Sequence, residues 1–270
     1  EAKLLVLITA VLVVFGLASV YAASSALIER GRPIGSTRVL DQLVGASLGG
    51  LLLLVAARVN LDRVRSLAWP IIVVAAGLLL LLVLPFTHAI APRINGARRW
   101  LNLGVSIQVS EIAKLAVVIW AAMLCAKKGT EVKRLSRGVL PLLTVVGPVA
   151  ALVMLQPDLS TAVSIVLLAM VVVFAAGARI GHFILLGLVA LPIVWRQVEG
   201  AQYRLLRMTT FLDPGNARLS DTYQIDQSLI GVGAGRLLGV GFGKGQQKLG
   251  FLPYPYSDFI FSTIGEEWGF

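Results

Sequence analysis

The sequence predicts an all-α, polytopic transmembrane helical bundle, and three observations carry that prediction. Of its 270 residues, 57% are hydrophobic and only 14% are charged, far from the balance of a soluble domain. The mean hydropathy is +0.85, and apolar runs recur at close to the ~20 residues needed to cross a ~30 Å hydrocarbon layer. One long polar stretch separates the seventh run from the eighth, so a large extracytoplasmic loop is expected there.

Taken in order, the spans are expected at about 4–28, 39–57, 67–84, 107–126, 139–155, 159–177 and 182–198, with an eighth starting at 259. Together they make 1–270 a single transmembrane domain. The first run ends in small residues, Tyr21-Ala22-Ala23-Ser24-Ser25-Ala26, of the kind found at signal-peptide cleavage sites, but it is too long and too many spans follow it. The single cysteine, Cys125, lies within a span and excludes an intramolecular disulfide or a cysteine-based metal cluster. The net charge of +10 has no soluble basic domain to carry it, so anionic head groups, not nucleic acid, are its expected partners.

Lys and Arg in the short loops set the orientation. Ten (Lys3, Arg58, Arg63, Arg65, Lys127, Lys128, Lys133, Arg134, Arg137, Arg179) fall on one side and six (Arg30, Arg32, Arg38, Arg93, Arg98, Arg99) on the other. By the positive-inside rule the amino terminus is cytoplasmic, and segments 29–38, 85–106, 156–158 and 199–258 then share the outer side. His88 and His182, the only histidines, fall on opposite sides, which argues against a histidine metal site or a Ser/His/Asp triad on the outer face.

The polar chemistry lies in these outer segments or on helices next to them. Asn95-Gly96-Ala97-Arg98-Arg99-Trp100 sets two arginines beside an aromatic at head-group depth; it reads equally as an interfacial anchor or as a bidentate phosphate grip. Glu111 and Lys114 share one helix face, and because a charge at membrane depth costs roughly 2.5–3.5 kcal/mol, the pair either braces helices or lines a polar cavity. Asp158, in Gln156-Pro157-Asp158, either caps the sixth span or faces a cavity. The stretch 199–258 contains apolar anchors such as Phe211 and Tyr223, then eight glycines between Gly231 and Gly250. It fits neither a GxGxxG nor a Walker pattern, but its backbone N–H groups can cradle an anion, with Lys244 or Lys248 supplying charge. Asp258 then stands just before Phe259-Ile260-Phe261, where a helix N-cap is the ordinary explanation.

These strings, in order, resemble the SEDS family (shape, elongation, division and sporulation): Asn95 to Trp100, Gln108-Val-Ser-Glu-Ile-Ala-Lys114, Gln156-Pro-Asp158, Tyr223-Gln224 with Gln227-Ser228-Leu229, Gln247-Lys248, and Ser257-Asp258-Phe259 through Gly265-Glu266-Glu267. Asn-Gly-Ala-Arg-Arg-Trp looks more like the division member FtsW than the elongation member RodA. The resemblance implies a SEDS-type bundle in the bacterial cytoplasmic (inner) membrane, acting as a peptidoglycan glycosyltransferase that polymerises lipid II. The partners it implies are the nascent glycan strand, a class B penicillin-binding protein and divisome or elongasome membrane proteins. It implies Asp258 as the catalytic acid of the Ser/Thr-Asp-Phe motif, and Arg98, Arg99, Glu111, Lys114, Asp158, Gln227 and Lys248 as substrate-contacting residues. No cofactor is certain, since no ligand cluster demands one; a divalent cation (Mg or Mn) can share the stabilisation of the leaving diphosphate. The family's final spans are absent before Phe270, and Pro253-Tyr254-Pro255-Tyr256 replaces the polar residue that many members carry before the Ser/Thr-Asp pair. A lipid II flippase and a non-catalytic scaffold are the competing readings.

Overall fold

A computed structural model describes residues 2–29, 32–84, 87, 98–102, 106–200, 206 and 219–269. Arg30, His88, Arg93, Asn95, Gly96, Ala97 and Phe211, which enter the expectations above, lie outside the described residues. The fold is all-α and polytopic. Helix α1 spans Ala2–Ser24, α2 Gly35–Arg58, α3 Leu61–Ser66, α4 Ala68–Val83 and α5 Val109–Lys128. Then come α6 Leu140–Met154, α7 Leu159–Ala175, α8 Ile180–Glu199, α9 Leu219–Gly235 and α10 Ile260–Trp268. Two short antiparallel ladders pair β1 (Ile28–Glu29) with β2 (Arg32–Pro33), and β3 (Trp100–Asn102) with β4 (Ser106–Gln108).

Among the described residues, five helical stretches are long and apolar enough to cross a membrane: Lys3–Ser24, Gly35–Arg58, Val109–Lys133, Leu135–Met154 and Ile180–Gln197. Helices α4 and α7 are equally apolar but have 16 and 17 residues, a rise of about 24–26 Å at 1.5 Å per residue. Part of the stretch 199–258 is helical, because α9 falls within it. Its glycines at 231, 233 and 235 disfavour a helix by about 1 kcal/mol each, so α9 depends on what it packs against.

The chain divides into two compact units, one of residues 59–201 and one joining 1–58 to 202–270. In the first, α4 buries Ala68, Ile72, Ala75, Leu79 and Leu82, alternating steps of four and three residues that define one helix face. That face meets Ala113, Ala116, Val117 and Trp120 of α5, and α5 and α6 both pack on α7. Alanine is frequent at these contacts because lipid offers helices no hydrophobic drive to associate, so close van der Waals approach must supply it. The buried Trp120 meets the edge of Trp69 at 5.3 Å between ring centroids.

In the second unit α1 packs against α2 and α10, and α9 against α10. Trp268 receives the edges of Phe15 at 5.4 Å and Phe242 at 5.6 Å. The α9–α10 contact is almost backbone on backbone: a Cβ at Gly235 would lie 1.9 Å from the carbonyl oxygen of Gly265, and one at Gly231 would lie 2.7 Å from Ser262 Oγ. Ser262 Oγ also donates to the carbonyl of Ser228 at 2.7 Å. Gly235→Ala is therefore expected to force these helices apart and destabilise the protein by the ~1–3 kcal/mol typical of overpacking. Gly233→Ala, where a Cβ meets nothing within 4 Å, is expected to melt at or above the parent temperature in detergent.

Candidate functional site

In the unit of residues 59–201, the two adjacent arginines take different partners. Arg98 Nη1 donates to the carbonyl of Leu84 at 3.1 Å. Arg99 turns to the Gln156-Pro157-Asp158 turn: Nε donates to the Gln156 carbonyl at 3.3 Å, Nη2 to the Pro157 carbonyl at 2.7 Å, and Nη1 pairs with Asp158 Oδ2 at 3.5 Å. The planar guanidinium, with five donors in a fixed fork, suits such a three-point grip. Asp158 is buried and is also the N-cap of α7, its Oδ1 accepting from the Thr161 N–H at 3.2 Å and from Ser160 Oγ at 3.1 Å. Capping is thus its observed local role, with an ion pair added. Buried Gln156 donates through Nε2 to the carbonyl of Leu79 at 3.3 Å, tying the same turn to α4.

Glu111 and Lys114 form the pair their spacing suggests, Nζ to Oε1 at 2.8 Å. Glu111 sits in the first turn of α5, where the helix dipole favours a carboxylate. Both side chains retain exposure within the described residues, 57% for Glu111 and 28% for Lys114.

In the other unit the glycine-rich stretch cradles an anion, and the anion is the protein's own. Glu267 Oε2 accepts from the Gly243 N–H at 2.8 Å, and its Oε1 accepts from the Gly245 N–H at 3.3 Å and from Lys248 Nζ at 2.7 Å. Glu266 accepts from the N–H groups of Gln246 at 2.8 Å and Gln247 at 3.2 Å. The carbonyls of Glu266 and Glu267 take the N–H groups of Val240 at 2.9 Å and Gly241 at 3.1 Å. Gly239 makes this fit possible: its φ is +73°, and a Cβ there would lie 2.2 Å from the Glu267 carbonyl oxygen. Lys248, expected near a substrate diphosphate, is 3% exposed and neutralised by Glu267, which is 1% exposed.

Asp258 stands in the turn before α10. It does not cap that helix: Phe259 is the N-cap residue and no side chain bonds to the free N–H groups. The carboxylate is exposed and makes no hydrogen bond or ion pair among the described residues. Two residues earlier, Tyr256 is gripped by Arg38 of α2, whose guanidinium lies 4.8 Å from the ring centroid and whose Nη2 donates to the hydroxyl at 3.3 Å. Sequence reasoning counted Arg38 only as a loop charge; the alternating Pro-Tyr-Pro-Tyr was the available sign that an aromatic platform precedes the acid. Gln227 is half-buried in α9. The structure therefore brings together Arg99 with Asp158, Glu111 with Lys114, and Lys248 with Glu267, and leaves Asp258 exposed. Among the described residues no group of three or more His, Cys, Asp or Glu side chains converges as metal ligands.

The sequence model of the FtsW/RodA/SpoVE family, described as "Cell cycle protein", matches residues 2–270. The chain is 36% identical over 267 residues to the probable peptidoglycan glycosyltransferase FtsW of Trichlorobacter lovleyi, covering 98% of this chain and 69% of that protein. It is also 36% identical over 268 residues to stage V sporulation protein E of Bacillus subtilis, covering 99% and 72%. Among solved structures it is similar to one reported as "Structural coordination of polymerization and crosslinking by a peptidoglycan synthase complex", with a TM-score of 0.64, 28% identity, and coverage of 96% of this chain and 70% of that one. The Thermus thermophilus rod shape determining protein RodA aligns with a TM-score of 0.56 and 31% identity over 70% of this chain and 58% of that chain.

The double role of Asp158 has a measurable signature. Asp158→Asn keeps a cap oxygen and loses the ion pair, whereas Asp158→Ala loses both. The alanine variant is expected to unfold at the lower temperature, the cap alone contributing ~0.5–2 kcal/mol.

Proposed function

Because the chain belongs to the FtsW/RodA/SpoVE (SEDS) family of cell-cycle proteins, and is FtsW-like within it, we propose that it is a peptidoglycan glycosyltransferase polymerising lipid II at the outer face of the bacterial cytoplasmic membrane. The reaction attacks the anomeric carbon of one lipid-linked sugar with a hydroxyl of another. A C–O bond forms, the bond to the polyprenyl diphosphate breaks, and the hydroxyl proton must be taken up.

The observation that carries the assignment of the base is Asp258. Glu111 has Lys114, Asp158 has Arg99, Glu266 has two backbone N–H groups and Glu267 has Lys248. Asp258 alone in this set is exposed and uncommitted, and a general base needs a lone pair free to accept the proton. Such help is typically worth ~10²–10⁴ in rate. We assign Arg98, Glu111, Lys114 and Gln227 to substrate contact, with Arg99 acting through the turn it grips. A divalent cation at the diphosphate fits the chemistry. A class B penicillin-binding protein is the proposed partner, supported by the similarity to a peptidoglycan synthase complex. The ten-to-six excess of basic residues supports a cytoplasmic amino terminus.

Full-length protein with its partner is expected to polymerise lipid II, and Asp258→Asn to abolish chain formation while leaving folding and partner binding intact; retained polymerisation removes Asp258 from the base role. Exchanging Glu111 and Lys114 is expected to preserve folding and to lower activity. Unchanged activity in the exchanged protein reduces the pair to a brace.

A further inference from the structure

The buried charges of Glu266, Glu267 and Lys248 take no direct part in the reaction proposed above. All three residues are nearly inaccessible, and their side chains could not reach a substrate without breaking the five hydrogen bonds that hold them. Two carboxylates and one ammonium leave one negative charge uncompensated by side chains, and backbone N–H groups of the glycine loop satisfy it. Burying such a set is costly unless every lone pair is bonded, and a membrane protein short of charged residues retains it beside its exposed acid. The set also cannot be replaced by apolar side chains without stranding the four backbone N–H groups that now donate to it.

The covalent path shows what the cluster controls. Lys248 is the middle residue of a short 3₁₀ turn (Gln247–Leu249), and the Leu252 N–H then donates to the Gln247 carbonyl at 3.0 Å. The chain continues through Tyr256, held by Arg38, reaches Asp258, and enters α10 at Ile260. Glu266 and Glu267 lie on that same helix, about 12 Å along its axis from Asp258 at 1.5 Å per residue. The cluster therefore clamps the incoming end of the 249–258 segment onto the helix into which its outgoing end runs. Both ends are fixed to one rigid rod, and Asp258 stands one residue before its N-cap, Phe259.

We infer that Glu267, with Glu266 and Lys248, is a positioning device for Asp258: the cluster fixes the loop that carries the acid, and does so without touching the substrate. The inference rests on the assignment of Asp258 as the base. It implies that a change at Glu267 is felt as a misplaced carboxylate, for which a shift of about 1 Å can cost roughly 10²-fold in rate, and not as weaker substrate binding.

The test compares Glu267→Gln, Glu267→Asp and Asp258→Asn in the full-length protein with its partner, measuring kcat and KM for lipid II per folded molecule, the folded fraction being taken from size exclusion and thermal melting. Glu267→Gln strands the Lys248 ammonium. Glu267→Asp keeps the charge but withdraws the oxygens by one methylene, and serves if the first variant does not fold. A fall in kcat of tenfold or more with KM within about twofold is expected for whichever variant folds. A nitroxide at Ser257→Cys, in a Cys125→Ala background, is expected to gain mobility in the same variants. Activity per folded molecule and label mobility equal to the parent overturn the inference and leave a purely structural clamp. Full activity in Asp258→Asn overturns the base assignment instead, so the two failures are told apart.

Discussion

Two carboxylates caught in a loop of backbone N–H groups set the geometry of the unit that carries Asp258. Glu266 and Glu267 cannot be solvated where they lie, so the chain must come to them, and only a stretch with glycine at the closest points can approach near enough. Gly239 and Gly245 are such points. Once the loop has closed, Lys248 has one neighbour to pair with, α10 has its backbone against α9, and Trp268 is brought between Phe15 and Phe242. Removing either carboxylate would leave buried N–H groups or an ammonium without a partner, which costs more than the loss of the bond itself.

The other unit solves the same problem differently. Its core is apolar and interdigitated, and two of its carboxylates sit at helix beginnings: Asp158 at the start of α7 and Glu111 in the first turn of α5. There the free N–H groups and the positive end of the dipole favour a carboxylate. Arg99 then connects the β3 ladder to the α6–α7 turn through three bonds, where a lysine could place only a point charge. The long buried contacts are thus hydrophobic, and polar ones are confined to the ends of spans.

How much of this was legible in the sequence depends on how local each interaction is. The spans around α4 to α7 were readable because their hydrophobicity is continuous. The Asp158 cap and the Glu111–Lys114 pair were readable because each lies within three residues along a helix. Helix α9 was not, since Leu219–Gly235 mixes Asp226, Gln224 and three glycines and becomes helical only through its contact with α10. The capacity of the glycine stretch to hold an anion was visible, but the identity of the anion was not: Lys248 and Glu267 are separated by 19 residues and no periodicity links them. Arg99 shows the same limit, because its partner Gln156 lies 57 residues away and composition alone leaves a lipid phosphate as plausible. The cap reading of Asp258 failed because Phe259, not the acid, occupies the cap position.

The closeness in sequence of the partners that enclose Glu266 and Glu267 bears on how the protein is made. Everything the cradle needs lies between Gly235 and Gly269, and loop-closure entropy rises only by about 0.6 kcal/mol for each doubling of length. The ring can therefore close as soon as α10 leaves the biosynthetic machinery, without waiting for distant segments to find their neighbours. The cradle would then be shaped locally and received by the assembling membrane protein as a finished part, with the acid-bearing turn left to be pinned through Tyr256 by the distant Arg38.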